Sequence, residues 1–257
     1  MGEVPSLPRV AVVGSRAAER RYLRCVPSLV EALHARGWAL VSGGALGIDG
    51  AAHRHALELG HPQLAVLPCD ASELYPPAHR ELLLAIANAP SSGLLFAKPR
   101  GLPTTRAMFA SRNAIVVAIS QAVVVVQAGA RSGSLRTGML ALRRRMPLAA
   151  VLGSAGATML VANGAFGLHV DLEHPECLKQ DVQDWLDSIA RGQTPKARVV
   201  PWPDHLRWLG QRFRERGAAG LTTTELAHID GGLRAVLEAE VLALCRETSP
   251  GRYMAIG

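Results

Sequence analysis

What this sequence has little of already narrows its class. Aromatic residues make up 4% of the chain. The core must therefore be built from Ala, Val and Leu, which suits helices packed on a sheet better than a Trp- and Tyr-rich β-sandwich. The four cysteines, Cys25, Cys69, Cys177 and Cys245, are scattered and form no C-x-x-C pair. A disulfide framework and a zinc site have no support in that spacing, and a reducing compartment is expected. No apolar run approaches the ~18 residues of a membrane span. The opening MGEVPSLPRV lacks the charged and apolar segments of a secretory leader. A cytoplasmic protein without membrane contact is expected. With 49% hydrophobic and 19% charged residues, 257 residues suffice for one large domain or for a medium domain with a small companion.

The most informative absence is of acid. No carboxylate occurs between Glu81 and Asp171, yet Lys98, Arg100, Arg106, Arg112, Arg131, Arg136, Arg143, Arg144 and Arg145 all fall there. That stretch carries +9 against +7 for the whole chain, so the remainder is slightly negative. An arginine-rich coding bias explains why lysine occurs only at 98, 179 and 196. It does not explain why acids vanish from one stretch. Positive charge without interspersed carboxylates is the footprint of a polyanion site.

Short aliphatic runs alternate with longer helical patterns through the first two-thirds of the chain. Strands are predicted at Arg9–Val13, Trp38–Ser42, Gln63–Leu67, Gly93–Phe96, Ala122–Val126 and Leu148–Leu152. Helices are predicted at Glu19–Arg36, Ile48–Leu59, Ala78–Ala87, Thr105–Ile119 and Leu135–Arg145. Continuous apolar strands suit a sheet covered on both faces. Repeated βα units predict an α/β fold, a Rossmann-like, doubly wound, mostly parallel sheet. Its ligand belongs beyond the carboxyl ends of the strands, so the loops after Val13, Val41, Phe96 and Val126 are the ones to watch.

A domain over residues 1–190 gives way at 191–203 (RGQTPKARVVPWP) to a polar linker with three prolines. Residues 204–257 then outline a small winged-helix-like domain. Thr222-Thr-Thr-Glu225 has capping-box spacing, Asp230-Gly-Gly breaks the chain, and Leu233–Arg246 reads as an amphipathic helix before a turn and strand. Seven arginines there meet seven acids, which favours a protein contact over duplex reading.

The loops carry the chemistry. Gly14-Ser15-Arg16 follows the first strand and offers N–H groups, a hydroxyl and a guanidinium to a phosphate. G-x-G-x-x-G is absent, which removes the dinucleotide fingerprint. Ser42-Gly-Gly-Ala-Leu-Gly-Ile-Asp49 brings a pliable glycine loop and a helix start after the second strand, with Asp49 placed to cap or orient it. His53, one turn on, is more commonly a packed structural histidine than a catalyst. Arg112-Asn113 and Arg131-Ser132-Gly133-Ser134 complete four loops that are expected to converge on one crevice, though each alone is also compatible with an ordinary turn.

Taken in order, Val-Gly-Ser-Arg, Ser-Gly-x-Ala-x-Gly-Ile-Asp-x-x-Ala-His, Tyr75-Pro76, Phe-x-x-Arg-Asn and Ser-Gly-Ser-Leu-x-Thr resemble the DprA/Smf family over about residues 9–165. The resemblance implies an extended Rossmann fold that binds single-stranded DNA, forms a homodimer and helps load a RecA-type recombinase in natural transformation. It implies no catalytic residue, cofactor or metal. The DNA-contact set it suggests is Gly14, Ser15, Arg16, Ser42, Gly43, Gly47, Lys98, Arg112, Asn113, Arg131, Ser132, Gly133 and Ser134. Four residues at three sites depart from the family pattern. Leu46 stands where an arginine is usual, Ala114 replaces the second arginine of Arg-Asn-Arg, and Phe96-Ala97 replaces a Ser-Glu pair. Fewer phosphate contacts lower affinity and flatten its salt dependence, with Lys98, Arg100 and Arg106 as candidates to compensate.

Two other function classes stand beside this one. A phosphoribohydrolase-like nucleotide-binding enzyme needs a Pro-Gly-Gly-x-Gly-Thr loop and a nearby glutamate. This chain has Ala128-Gly129-Ala130-Arg131-Ser132-Gly133 and no acid from 82 to 170. A scaffold paralogue that does not bind DNA is favoured by the missing arginines and opposed by the +9 stretch.

Overall fold

The computed structural model describes residues 1–98, 105–169 and 177–193, with short pieces of the C-terminal region at 209, 211–212, 221–222, 224–225, 245–249 and 252–255. Seven strands form one sheet: β1 (Arg9–Val13), β2 (Ala39–Ser42), β3 (Gln63–Leu67), β4 (Gly93–Phe96), β5 (Ala122–Val125), β6 (Leu148–Val151) and β7 (Phe166–Leu168). The order is β4-β3-β2-β1-β5-β6-β7, and every pairing is parallel. The six predicted strands are present within a residue of their expected ends. β7 was not anticipated, since three residues around a glycine give too short a signal.

Helices cover both faces, which is why the valine-rich strands read as unbroken apolar runs. One layer holds α1 (Arg20–Ala35), α2 (Ile48–Glu58), α3 (Arg80–Asn88, after a 3₁₀ turn at Pro77–His79) and α7 (Cys177–Ala190). The other holds α4 (Arg106–Ala118), α5 (Gly133–Arg143) and α6 (Ala155–Ala162). α1 shows the logic: Tyr22, Cys25, Val26, Leu29, Val30 and Leu33 recur every three or four residues and are buried against the sheet. Each such aliphatic side chain contributes about 1.5–3 kcal/mol on burial. α6 and α7 were not anticipated. α6 is apolar all round, so it carries no helical periodicity to detect.

Most of the C-terminal region lies outside the described residues, including the predicted linker beyond Gln193. The described pieces form a three-stranded sheet in the order β8 (Leu221–Thr222), β10 (Arg252–Ala255), β9 (Cys245–Ser249), with antiparallel pairing. The capping box is present: Thr222 N–H donates to Glu225 Oε2 at 2.7 Å, and Glu225 N–H donates to Thr222 Oγ1 at 3.2 Å. Cys245 and Arg246 begin a strand and do not end a helix, correcting the expected Leu233–Arg246 boundary.

β1 places the site. Its neighbours are β2 on one side and β5 on the other, so chain winding reverses between β1 and β5. At such a switch point the connections leave in opposite directions and a crevice opens beyond the strand ends.

Candidate functional site

That crevice is a cleft of about 250 Å³. It is lined by Gly14–Arg16 after β1, Gly43, Ala45 and Asp49 after β2, Arg112, Asn113 and Val116 of α4, and Ser132–Ser134 with Thr137 at the start of α5. The predicted loops after Val13, Val41 and Val126 meet there, while Arg112 and Asn113, expected on a loop, come from inside α4, and residues 99–104 of the loop after Phe96 lie outside the described residues. Their donors are mixed in kind. Ser132 caps α5, its hydroxyl accepting the Leu135 N–H at 3.1 Å. The first-turn N–H groups of Gly133 and Ser134 have no intrahelical acceptors, and the positive end of the helix dipole lies at the cleft. Arg16 is exposed at the mouth, and Asn113 is half-buried beside it.

Two glycines make the loops possible. Gly47 has φ of +75° and lies against the first loop, where a Cβ would overlap the Ser15 carbonyl. The next residue, Ile48, donates its N–H to that carbonyl at 3.2 Å, so the two loops are joined. A Cβ on Gly43 would overlap the Arg112 guanidinium. Ser42 is fully buried, and its hydroxyl donates to Val12 O at 2.6 Å, tying β2 to β1. Gly47 and Ser42 thus shape the cleft without lining it.

Asp49 and Arg112 form the floor. Asp49 Oδ2 accepts N–H groups from Gly43 at 3.2 Å and Ala45 at 3.4 Å. Arg112 Nη1 donates to Gly43 O and to Val66 O, the latter at 3.1 Å. Burial pushes the Asp49 carboxyl up, opposed by the Arg112 charge and the loop N–H groups. Burial likewise lowers the Arg112 pKa, opposed by Asp49. Arg112 is therefore a buried strut of the glycine loop, and its role in the cleft begins with shape. Below the loop, His79 donates from Nδ1 to Gly44 O at 3.0 Å and accepts from Arg54 at 3.0 Å. His53 is fully buried, paired with Gln63 at 2.7 Å and pushed down to about 4 by burial, and it does not line the cleft. It is the packed histidine the sequence suggested.

The charged stretch does not fold into one patch. Lys98 is buried and paired with Asp70 at 3.0 Å, away from the cleft. Arg131 is exposed beside the α5 cap without lining the cleft, while Arg143, Arg144 and Arg145 are exposed at the opposite end of α5. Arg106 opens α4, and Arg100 lies outside the described residues. Neighbours in sequence are separated here because an 11-residue helix spans about 16 Å.

One feature of the site was not expected. Tyr75 and Phe109 pack edge to face at 5.5 Å, and the Arg16 guanidinium lies 5.0 Å above the Phe109 ring. With Leu46, Pro68 and Pro76 they line a shallow apolar hollow adjoining the cleft. In a chain so poor in aromatics, a Tyr and a Phe inside two separate sequence motifs, the Phe on α4, are the available signal.

A family model for DNA recombination-mediator protein A matches residues 1–173. The chain belongs to this family. A DNA processing protein DprA of Mycobacterium tuberculosis, named as putative, is 35% identical over 256 residues, covering 93% of this chain and 63% of the relative. The chain thus spans less than two-thirds of that relative's length. The solved DprA of Streptococcus pneumoniae superposes with a TM-score of 0.58 at 32% identity, over 63% of this chain and 58% of that one. DNA processing protein A from Helicobacter pylori, solved for its single-stranded DNA binding mode, gives 0.59 at 26% identity, over 69% and 81%. The DprA fold and the Rossmann-like sheet agree. Among the described residues, no helix is long and apolar enough to cross a membrane, and no group of three or more His, Cys, Asp or Glu is placed to hold a metal.

Proposed function

We propose that the cleft binds the sugar-phosphate backbone of single-stranded DNA and that the adjoining aromatic hollow takes a base. The observation that carries this is the convergence of the α5 N-terminus, the Gly14–Arg16 loop and Asn113 on one cleft beside the Tyr75–Phe109 shelf. N–H groups and arginines read phosphate without regard to sequence, and an aromatic face stacks on any base. The single-stranded DNA binding of the Helicobacter pylori relative supports the same reading.

The reading includes no catalysis. Among the described residues lining the cleft, Asp49 is the acid, and its carboxylate is committed to two loop N–H groups. A phosphoribohydrolase needs a carboxylate free to transfer a proton. The family resemblance extends the reading to a cytoplasmic homodimer that delivers its strand to a RecA-type recombinase, with residues 204–257 as a separate module after a linker at 191–203. Fluorescence anisotropy with single- and double-stranded oligonucleotides at two salt concentrations tests the binding. Single-strand preference that weakens with salt is expected, and no binding at low salt would overturn it.

A further inference from the structure

The acid-free stretch of sequence contains one complete helical layer. α4, α5 and α6 contain no acidic residue, whereas α1, α2, α3 and α7 together hold seven acids and six bases. Within the acid-free layer, the arginines of α5 are arranged lengthwise. Arg131 and Arg136 are exposed at its cleft end, and Arg143, Arg144 and Arg145 are exposed at its far end. Arg136 and Arg143 are seven residues apart, two turns on one face, about 10 Å along the axis.

Helix electrostatics account for only part of this. A cation in the last turn complements the dipole, which suits Arg143. Arg131 and Arg136 flank the N-terminus, where the dipole repels cations and where the first turn has no acid. Cations held against that field call for an anion alongside.

We propose that the outer face of α5 is a backbone track, along which a single strand of DNA continues from the cleft toward the opposite end of the sheet. This rests on the reading of the cleft as a DNA site. The track leads to a second cleft of about 280 Å³, lined by Arg145, Met146, Pro147, Trp185 and Ile189 among others. Its walls are mostly apolar, and the buried indole N–H of Trp185 has no acceptor among the described residues. Arg145 adopts φ of +55°, a left-handed conformation that glycine would hold with less strain. A charged residue in this left-handed conformation beside an apolar cleft fits a nucleotide, with its base on the wall and its phosphate on the guanidinium.

The test uses the full chain, anisotropy, and oligothymidylates of about six and about 24 nucleotides. Three proteins are compared: the parent, the triple variant R136A/R143A/R144A, and Arg145→Gly. The parent binds the long oligonucleotide more tightly than the short one. The triple variant keeps short-strand affinity within about twofold but loses about tenfold on the long strand, with a salt slope shallower by about 2. Arg145→Gly also weakens only long-strand binding, while its unfolding midpoint is not lowered, which separates lost charge from lost fold. If the short strand binds and the variants leave long-strand affinity and slope unchanged, the track is wrong and these arginines belong to an acidic protein partner. Equal losses on both lengths overturn the track too. If neither length binds the parent at low salt, the cleft reading itself has failed, and the track with it.

Discussion

Asp49 and Arg112 hold Gly43 from opposite sides: the carboxylate accepts its N–H at 3.2 Å, and the guanidinium donates to its carbonyl. Removing one member of such a buried pair strands the other. Arg112→Ala is therefore expected to lower stability by about 3–5 kcal/mol. Urea unfolding monitored by circular dichroism measures this. An unchanged midpoint together with lost DNA affinity would instead place the guanidinium on phosphate.

Lys98 lies in the basic stretch, yet its ammonium is buried against Asp70. Lys98→Ala should leave oligonucleotide affinity and its salt slope unchanged while costing about 3 kcal/mol or more in stability, because a buried carboxylate loses its counter-charge. A slope reduced by about 0.7 would show a phosphate contact after all.

Phe109 supports Tyr75 and lies beneath Arg16. Phe109→Ala is expected to weaken single-strand binding by about tenfold, within the ~1–3 kcal/mol typical of a stacked base. The salt slope should not move, because no phosphate contact is lost. Affinity at several salt concentrations distinguishes this signature from that of an arginine variant.

His53 is held neutral, with its pKa pushed down from 6.5 to about 4 by burial. The unfolded chain takes up this proton as pH falls through its ordinary range, and the folded protein does not until about 4. The stability contributed is full above the ordinary value and is lost on acidification toward about 4, amounting to roughly 3 kcal/mol. His53→Asn should flatten the stability curve between those pH values in denaturant titrations. An unaltered curve would move the acid sensitivity to other groups, such as His61, also pushed down to about 4.

The sheet was legible because both its faces are covered, so each strand from β1 to β6 shows as an aliphatic run with glycine or polar residues after it. β7 and α6 were not, one being too short and the other too uniformly apolar to carry a period. Loop positions were legible for the same reason as the strands: a βα turn beyond a strand's carboxyl end has one place to go. Burial was not legible. Arg112 and Arg16 look alike in sequence, but one is enclosed by Gly43 and Val66 carbonyls and the other faces solvent. Equally, nothing local distinguishes Lys98 from Arg136, because the partner that captures Lys98, Asp70, comes from the end of a different strand.

Confining the acids of the helices to one layer and leaving the other purely basic gives the α/β domain a permanent electric moment across its sheet. A molecule so polarised is turned by the field of an approaching polyanion before contact, and presents α4–α6 first. Productive collisions are then selected by torque as well as by chance. Raising ionic strength should slow the association rate constant, in addition to any effect on the lifetime of the complex.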